Sequence, residues 1–356
     1  MSSRGDAVPI EQLSVAAFKI PTDSPESDGT YEWNSTTIVI VNVTAGGRGG
    51  LGYTYADTAT ATLIDDHLKK IVIGRDAMSI QSTWDAMVRS IRNLGRAGIC
   101  SMAISAIDNA LWDLKARLLD LPLVSLLGQV RHHLPIYGSG GFTSYSIEKL
   151  CEQLGIWAKH GISMVKMKVG RDPTADVKRV RAARHEIGND IDLFVDANGA
   201  YSRQLALAQA EKFSEFNVAW FEEPVSSDDL ESLRAIRDRS PSSMKIAAGE
   251  YGYDLPYFKR MLDAGAVDIL QADATRCAGF TGFLQAAGLC EANHIPLSSH
   301  CAPACICTLV APRSQWRTPN SFTITSGSRT YFLMGVQNRS TAHFGSIFLR
   351  PDSAWN

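Results

Sequence analysis

Three acidic residues recur at nearly one spacing in the second half of this chain: Asp196, Glu222 and Glu250, 26 and 28 residues apart. Each follows a short apolar run, Ile191–Val195, Val218–Phe221 and Met244–Ala248, of the kind that forms a buried strand. One such acid alone is more often a helix N-cap or a solvated loop residue. Three at successive strand ends would converge and repel one another unless a cation neutralised them. Oxygen donors with no His or Cys among them suit a hard ion, Mg2+ first and Mn2+ second.

The same rhythm carries further polar residues. Lys168 lies 28 residues before Asp196, Asp273 lies 23 after Glu250, and His300 lies 27 after Asp273. In Lys166-Met167-Lys168 both lysines share one strand face. A Lys-x-Lys pair is usually a surface edge. Here Val165, Met167 and Val169 mark a central strand, so the lysines are expected to point inward. Burial beside a cation is expected to lower a lysine pKa towards that of a usable base. Asp273, one strand before His300, is placed to accept its ring proton and fix the tautomer. Asn198, in the run Asp196-Ala197-Asn198, is a candidate substrate contact with Lys166. A substrate carboxylate on the ion would have its α-proton acidified, and removal of that proton by one base gives an enediolate held by the ion. Return of a proton from the other face racemises; protonation of a β-hydroxyl leaving group dehydrates.

The elements that must position these residues fall into two regions. From about residue 131, short apolar runs alternate with amphipathic stretches: Leu134–Gly138, Met164–Val169, the three runs above, Ala266–Gln271 and Ile295–Leu297. One intervening helix is expected behind Asp172, with Pro173 in its first turn, a stripe of Val177, Val180, Ala183 and Ile187, and a stop at Gly188. Strands alternating with helices at about 25 residues predict an α/β fold, a (β/α) TIM-type barrel, with chemistry at the strand ends. Residues 1–130 read as an α+β capping domain. Leu13–Ile20 and Thr36–Val43 are expected strands, Pro21 to Trp33 a loop, Gly46 to Gly52 a flexible turn, and three helices follow.

Composition bounds the partners. The chain has 356 residues, 35 basic and 37 acidic, for a formal charge of -2, which offers no field for nucleic acid. No run reaches the roughly 20 apolar residues of a membrane helix, and Met1 to Pro9 lacks the apolar core of a secretory signal. Seven cysteines, an odd number thinly spread, argue for reduced thiols and a cytoplasmic setting. Cys305 and Cys307 have no second pair at zinc-finger spacing. The expected partner is a small-molecule carboxylate, with neither nucleic acid nor membrane, and the expected assembly is a homo-oligomer.

With Lys-x-Lys, Asp-x-Asn, Glu-Glu-Pro at Glu222-Glu223-Pro224 and Gly249-Glu250 in this order, the chain resembles the enolase superfamily, mandelate racemase/muconate-cycloisomerase branch. The helix Ala103–Asp113 and Leu126-Leu127-Gly128 resemble that family's cap-to-barrel junction. The resemblance implies an enolase-like modified barrel with Asp196, Glu222 and Glu250 as Mg2+ ligands. It implies Lys168 as base on one face, Lys166 neutralising the substrate carboxylate, and His300 paired with Asp273 as base on the other. The histidine–aspartate pair resembles the mandelate racemase-like subgroup, whose members act on 2-hydroxy acids and sugar acids. Specificity loops map to Thr22–Trp33 and Gly52–Asp57, with Tyr53 and Tyr55 as candidate contacts.

The resemblance stops after about Ala304. Residues 305–356 read as an atypical, poorly ordered tail, and the last barrel strand is left in doubt. When the third base of each codon is joined to the next two, with degenerate bases chosen freely, Arg317–Arg329 permits His-Ala-Glu-Phe-Leu-His-Asp-His-Val-Arg-Ile-Glu. That peptide resembles the family's eighth-strand segment, its catalytic glutamate falling across Pro319 and Asn320. The expectation is therefore a displaced reading frame beginning near Ala304. Three functions stay open: a Mg2+-dependent racemase or dehydratase, a cycloisomerase or epimerase of the same superfamily, and a metal-binding homologue whose altered tail impairs catalysis.

Overall fold

The computed structural model describes residues 7–128 and 135–301 and the backbone of 324–326. The capping region opens with an antiparallel sheet, β1 (Gln12–Ser27), β2 (Glu32–Ala45) and β3 (Arg48–Tyr55), in that order. Helix α1 (Thr58–Leu63) runs through a π-helical turn (Ile64–Leu68) into α2 (Lys69–Val72). Then come α3 (Ile80–Ser90), α4 (Ile99–Leu118) and α5 (Leu123–Leu127).

Two local expectations change here. Pro21 to Trp33 is not all loop: β1 continues to Ser27, with its pairing broken between Pro21 and Glu26 and resumed at Glu26 against Trp33. The break absorbs the polar stretch, and the turn is confined to residues 28–31, where Asp28 Oδ1 accepts from the Thr30 and Tyr31 amides at 2.6 and 2.7 Å. Nor are Gly50 and Gly52 a flexible turn. They lie within β3 because α4 packs directly on them. A Cβ on Gly50 would meet the Ala110 carbonyl and come within 2.5 Å of the Leu114 amide nitrogen; one on Gly52 would meet the Ala106 carbonyl and come within 2.5 Å of the Ala110 nitrogen. The glycines serve close approach of backbone to backbone.

Parallel strands β4 (Ile136–Gly140), β5 (Met164–Lys168), β6 (Asp192–Asp196), β7 (Val218–Glu222), β8 (Lys245–Ala248), β9 (Ile269–Ala272), β10 (Leu297–Ser299) and β11 (Ile324–Ser326) close into a barrel. Helices α6 (Ile147–Lys159), α7 (Pro173–Ile187), α8 (Arg203–Ser214), α9 (Leu230–Arg237), α10 (Leu255–Asp263) and α11 (Gly279–Ala292) connect them. The cap of α7 is as expected: the Asp172 side chain accepts from the Thr174 and Ala175 amides at 3.0 and 3.2 Å, and Pro173 occupies the first turn. The doubtful last strand is present as backbone. Ile324, Thr325 and Ser326 pair with Ile136, Tyr137 and Gly138, and Ser299 pairs with Ile324. Leu134 and the remainder of the tail, including Cys305, Cys307, Pro319 and Asn320, lie outside the described residues.

The cap meets the barrel through polar groups of α4. Asp108 accepts from the Thr281 amide and hydroxyl at 2.9 and 2.8 Å. Asn109 donates to the Ala274 carbonyl at 3.1 Å and accepts from the Phe280 amide at 3.0 Å. Ser105 accepts from the Gly279 amide, and Trp112 donates to the Thr281 hydroxyl, each at 3.0 Å. The α4 motif thus clamps residues 274–281, which directly follow Asp273 at the end of β9. No helix among the described residues is long and apolar enough to cross a membrane.

Candidate active site

Each strand delivers its last residue or the next one to a common mouth. β5 alternates: Val165 and Met167 are buried outward among the helices, while Lys166 (1% exposed) and Lys168 (12%) turn into the barrel. Beneath them Tyr137, Phe194 and Trp220 form a small aromatic floor, with the Lys166 ammonium 5.5 Å from the Tyr137 ring centre. Asp196 ends β6, Glu222 ends β7, and Glu250 follows β8 through Gly249, whose φ of +133° lets the chain pass the backbone of Gln271. Three of the turning residues, Asn198, Glu223 and Cys301, have φ between +39° and +50°, strained for side-chain-bearing residues and concentrated at this mouth.

Carboxylate oxygens of Asp196, Glu222 and Glu250 lie within 4.8 Å of one another, and all three residues are buried. At that range each like-charged pair costs about 3–4 kcal/mol at an effective dielectric constant of about 20, so uncompensated ionisation of all three is prohibitive. Two ammonium groups supply the compensation. Lys166 Nζ pairs with Glu222 and lies 3.1 Å from Asp196; Lys168 Nζ lies 2.5 Å from Asp196 Oδ2 and donates to Asn198 Oδ1 at 2.9 Å. Burial alone would lower both lysine pKa values, but Glu222 and Asp196 outweigh it for Lys166, and Asp196 does so for Lys168. Both are therefore held above the ordinary lysine value by the acids, and a cation at the triad would pull them the other way, in the expected sense.

The acids respond in kind. Burial, then Asp196, pushes the Glu222 carboxyl up to about 7. Burial raises Asp196 and Glu250 too, but the lysines reverse it for Asp196, and His300 with Arg276 for Glu250. Glu223 Oε1, beside the triad, is buried with no hydrogen-bond donor, and Glu250 Oε2 is ion-paired with His300 Nε2. An orphaned carboxylate oxygen inside an acid cluster is what a hard cation satisfies. Opposite oxygens in an octahedral Mg2+ shell with bonds of about 2.1 Å are about 4.2 Å apart, so the cluster is of the right size.

On the far side, His300 Nδ1 lies 3.0 Å from Asp273 Oδ2, while Thr275 donates from its amide and hydroxyl to Asp273 Oδ1, both at 2.7 Å. His300 Nε2 lies 2.9 Å from Glu250 Oε2. Burial would lower the His300 pKa; Cys301, Glu250 and Asp273 outweigh it and hold it well above the ordinary value. Lys168 thus reaches the triad through Asp196, and His300 reaches it through Glu250.

Of the residues expected from sequence, Lys166, Lys168, Asp196, Asn198, Glu222, Glu250, Asp273 and His300 form this one connected cluster. Of the two cap candidates, Tyr53 is 2% exposed in the core between cap and barrel, its ring edge-on to that of Tyr55 at 5.7 Å. Sequence reasoning passed over Arg276, which donates to the Glu250 carbonyl at 3.1 Å and lies 3.5 and 3.7 Å from the carboxylates of Glu250 and Asp273. Its signal was its place three residues beyond Asp273. Glu223 was passed over beside Glu222.

Known proteins are similar to this chain. Residues 16–128 match the mandelate racemase/muconate lactonizing enzyme N-terminal domain, and residues 147–322 match the enolase C-terminal domain-like family. The chain belongs to the mandelate racemase/muconate lactonizing enzyme family of the enolase superfamily. It is 34% identical, over 82% of each chain, to the 3,6-anhydro-alpha-L-galactonate cycloisomerase of Streptomyces coelicolor. A mandelate racemase/muconate lactonizing enzyme-like protein from Rubrobacter xylanophilus is 49% identical and superposes with a TM-score of 0.85, over 90% of this chain and 87% of that one. The L-talarate/galactarate dehydratase of Salmonella typhimurium LT2, solved with Mg and L-lyxarohydroxamate, is 27% identical with a TM-score of 0.82, over 92% and 85%. Relatives of this enolase-superfamily enzyme thus include lyases and isomerases of sugar acids.

Proposed function

We propose that this chain abstracts the α-proton of a hydroxy acid or sugar acid, using Lys168 and His300 on opposite faces, and so racemises or dehydrates it. The carrying observation is that two proton-transfer groups reach one buried acid triad from opposite members, Lys168 at Asp196 and His300 at Glu250. Asp196, Glu222 and Glu250 would hold Mg2+, as the dehydratase relative's Mg supports. Bound there, the ion would neutralise the substrate carboxylate and acidify its α-proton.

The chain's own residues supply the rest. Lys166, paired with Glu222 at the mouth, would meet a substrate carboxylate oxygen. Lys168, steadied by Asn198, exchanges a proton at the α-carbon from one face. His300, with Nδ1 fixed by Asp273, presents Nε2 to the other face, where it protonates the α-carbon or a departing β-hydroxyl. This pairing supports a reading of the chain as a member of the mandelate racemase-like subgroup. Cycloisomerisation is the second reading, favoured by the 34% identity to the Streptomyces cycloisomerase.

The test is a panel of hydroxy and sugar acids incubated with Mg2+ in D2O, read for α-deuterium uptake, water loss and ring closure. Uptake with retained hydroxyls marks racemisation, and a keto product marks dehydration. No uptake with any acid, from protein that binds Mg2+, contradicts the proposal.

A further inference from the structure

Two side-chain cations are shared by the same pair of buried carboxylates. His300 lies 3.0 Å from Asp273 Oδ2 and 2.9 Å from Glu250 Oε2. Arg276 closes the circuit: Nη1 lies 3.5 Å from Glu250 Oε1, and Nε lies 3.7 Å from Asp273 Oδ2. Carboxylates and nitrogen bases thus alternate around a ring of four side chains. The Arg276 contacts differ in kind. The approach to Asp273 is an ion pair without a hydrogen bond, since Nε is buried with no acceptor. The firm attachment is to the backbone of Glu250, whose carbonyl accepts from Nη1 at 3.1 Å. The guanidinium also lies over the ring of Tyr251, 5.4 Å from its centre.

The two sides of this ring are held unequally by their strands. Asp196 and Glu222 are the last residues of β6 and β7, fixed by the ladder itself. Glu250 lies two residues beyond the end of β8, past Gly249 with its φ of +133°, and needs support from elsewhere. The backbone that carries Arg276 is well anchored. The Arg276 and Cys277 amides donate to the Asp273 carbonyl at 2.9 and 2.8 Å. The Ala274 carbonyl accepts from Asn109, and the Thr275 carbonyl accepts from the buried Thr54 hydroxyl at 2.6 Å. A side chain rooted after β9 therefore reaches across and holds the loop after β8.

We propose that Arg276 is a positioning residue, which braces the loop after β8 to the turn after β9 and so fixes the distance between Glu250 and the Asp273–His300 pair. Arginine suits this place because its rigid fork of five N–H groups engages a backbone carbonyl and two carboxylates at once. It also stays charged when His300 hands on a proton in the proposed reaction. The catalytic consequence rests on the two-base reading above. An error of about 1 Å in the place of a reacting group costs about 10²-fold. Here it falls on the His300 face, because Lys168 is held separately by Asp196 and Asn198.

The test uses full-length, Mg2+-saturated protein and an acid that shows α-deuterium uptake. Arg276→Met, of similar reach without the charge, is expected to slow exchange on the His300 face at least tenfold at unchanged KM, with the Lys168 face within threefold of wild type. Arg276→Lys keeps the charge but not the fork, and is expected to retain more of the His300-face exchange than Arg276→Met. Equal slowing of both faces, no slowing on the His300 face, or the reverse order of the two variants overturns the brace. A second readout needs no turnover. The Nδ1 proton that His300 shares with Asp273 gives a downfield proton resonance, identified by its absence from His300→Asn. Arg276→Met is expected to broaden it through exchange with water, and an unaltered resonance overturns the brace. Protein that takes up no deuterium from any acid removes the two-base reading, and the resonance still decides the brace. If Arg276→Met does not fold, Arg276→Lys is put to the same two readouts; if neither folds, Arg276 holds the fold rather than the base, which also overturns it.

Discussion

The molecule buries polar side chains in two places and treats them in opposite ways. At the seam between cap and barrel, Asp108, Asn109, Ser105 and Trp112 each find a partner in residues 274–281. At the barrel mouth, Asp196, Glu222 and Glu250 are packed against one another, and Glu223 Oε1 beside them is left without a donor. Satisfied groups fix a docking geometry; unsatisfied ones in a buried cluster store an affinity for something not made of protein. The seam is structure and the mouth is chemistry. Variants in the two places are expected to fail differently.

The largest effect is at the bases. Lys168→Ala should abolish exchange from one substrate enantiomer and His300→Asn from the other, each slowing its own face roughly 10²–10⁴-fold. Enantiomer-resolved exchange in D2O reads this directly. Loss of both faces in either variant would show that one residue serves both, and the symmetric mouth described above would be wrong.

Next comes the tail. If its frame is displaced near Ala304, restoring the alternative frame returns the glutamate now spread across Pro319 and Asn320, and activity should rise roughly 10²–10³-fold, the worth of one donor to a developing oxyanion. Two findings oppose the displaced frame: the backbone strand Ile324–Ser326 fills the eighth position, and the C-terminal family match runs to residue 322. Sequencing the gene decides between them, since a frame that does not open into the family peptide after Ala304 ends the idea.

How far the sequence was legible follows the same divide. The mouth could be read because strand-end spacing is a one-dimensional signal: each of Lys168, Asp196, Glu222, Glu250, Asp273 and His300 sits about one βα unit from the next. Arg276 was hidden because its role comes from a turn of backbone after β9, not from spacing. The seam was legible only through the family resemblance of α4. Gly50 and Gly52 misled, because a glycine that admits a helix backbone and a glycine that allows a turn are written with the same letter. The lysine pKa values could not be read from spacing for an electrostatic reason: the expected cation and the three acids pull in opposite senses, and the sum depends on geometry.

Metal binding separates the regions at intermediate size. Asp196→Asn should weaken Mg2+ by roughly 100-fold or more in calorimetry. The stabilising effect of Mg2+ should also depend on pH. Glu222, raised to about 7 by burial and then by Asp196, keeps a proton in the folded state that the unfolded chain gives up above its ordinary value of 4.5. Its contribution makes metal-free protein lose stability as pH rises from 4.5 to about 7. Asp196 and Glu250, both lowered, lose their contribution only as pH falls below that window. Mg2+ needs ionised ligands, so the difference in Tm with and without it should widen between pH 5 and pH 7.5. A difference independent of pH would remove Glu222 from the ligand set.

The smallest effect makes the sharpest comparison. In Gly52→Ala the new methyl meets the Ala106 carbonyl and the Ala110 amide nitrogen of α4, both backbone atoms, so the helix must shift off the sheet. The cost should be about 1–3 kcal/mol, as for other overpacked sites, read as a lowered denaturation midpoint with an unchanged slope. The same helix holds residues 274–281 through Asp108 and Asn109, and those residues begin one position after Asp273. Mg2+ affinity should nonetheless stay within twofold of wild type, because Asp196, Glu222 and Glu250 hang from β6, β7 and β8, and the seam meets the triad through the Arg276 side chain at Glu250 rather than through a ligand-bearing strand. If Gly52→Ala weakens Mg2+ tenfold, the cap is part of the metal site's support, and the division between a structural seam and a chemical mouth has to be given up.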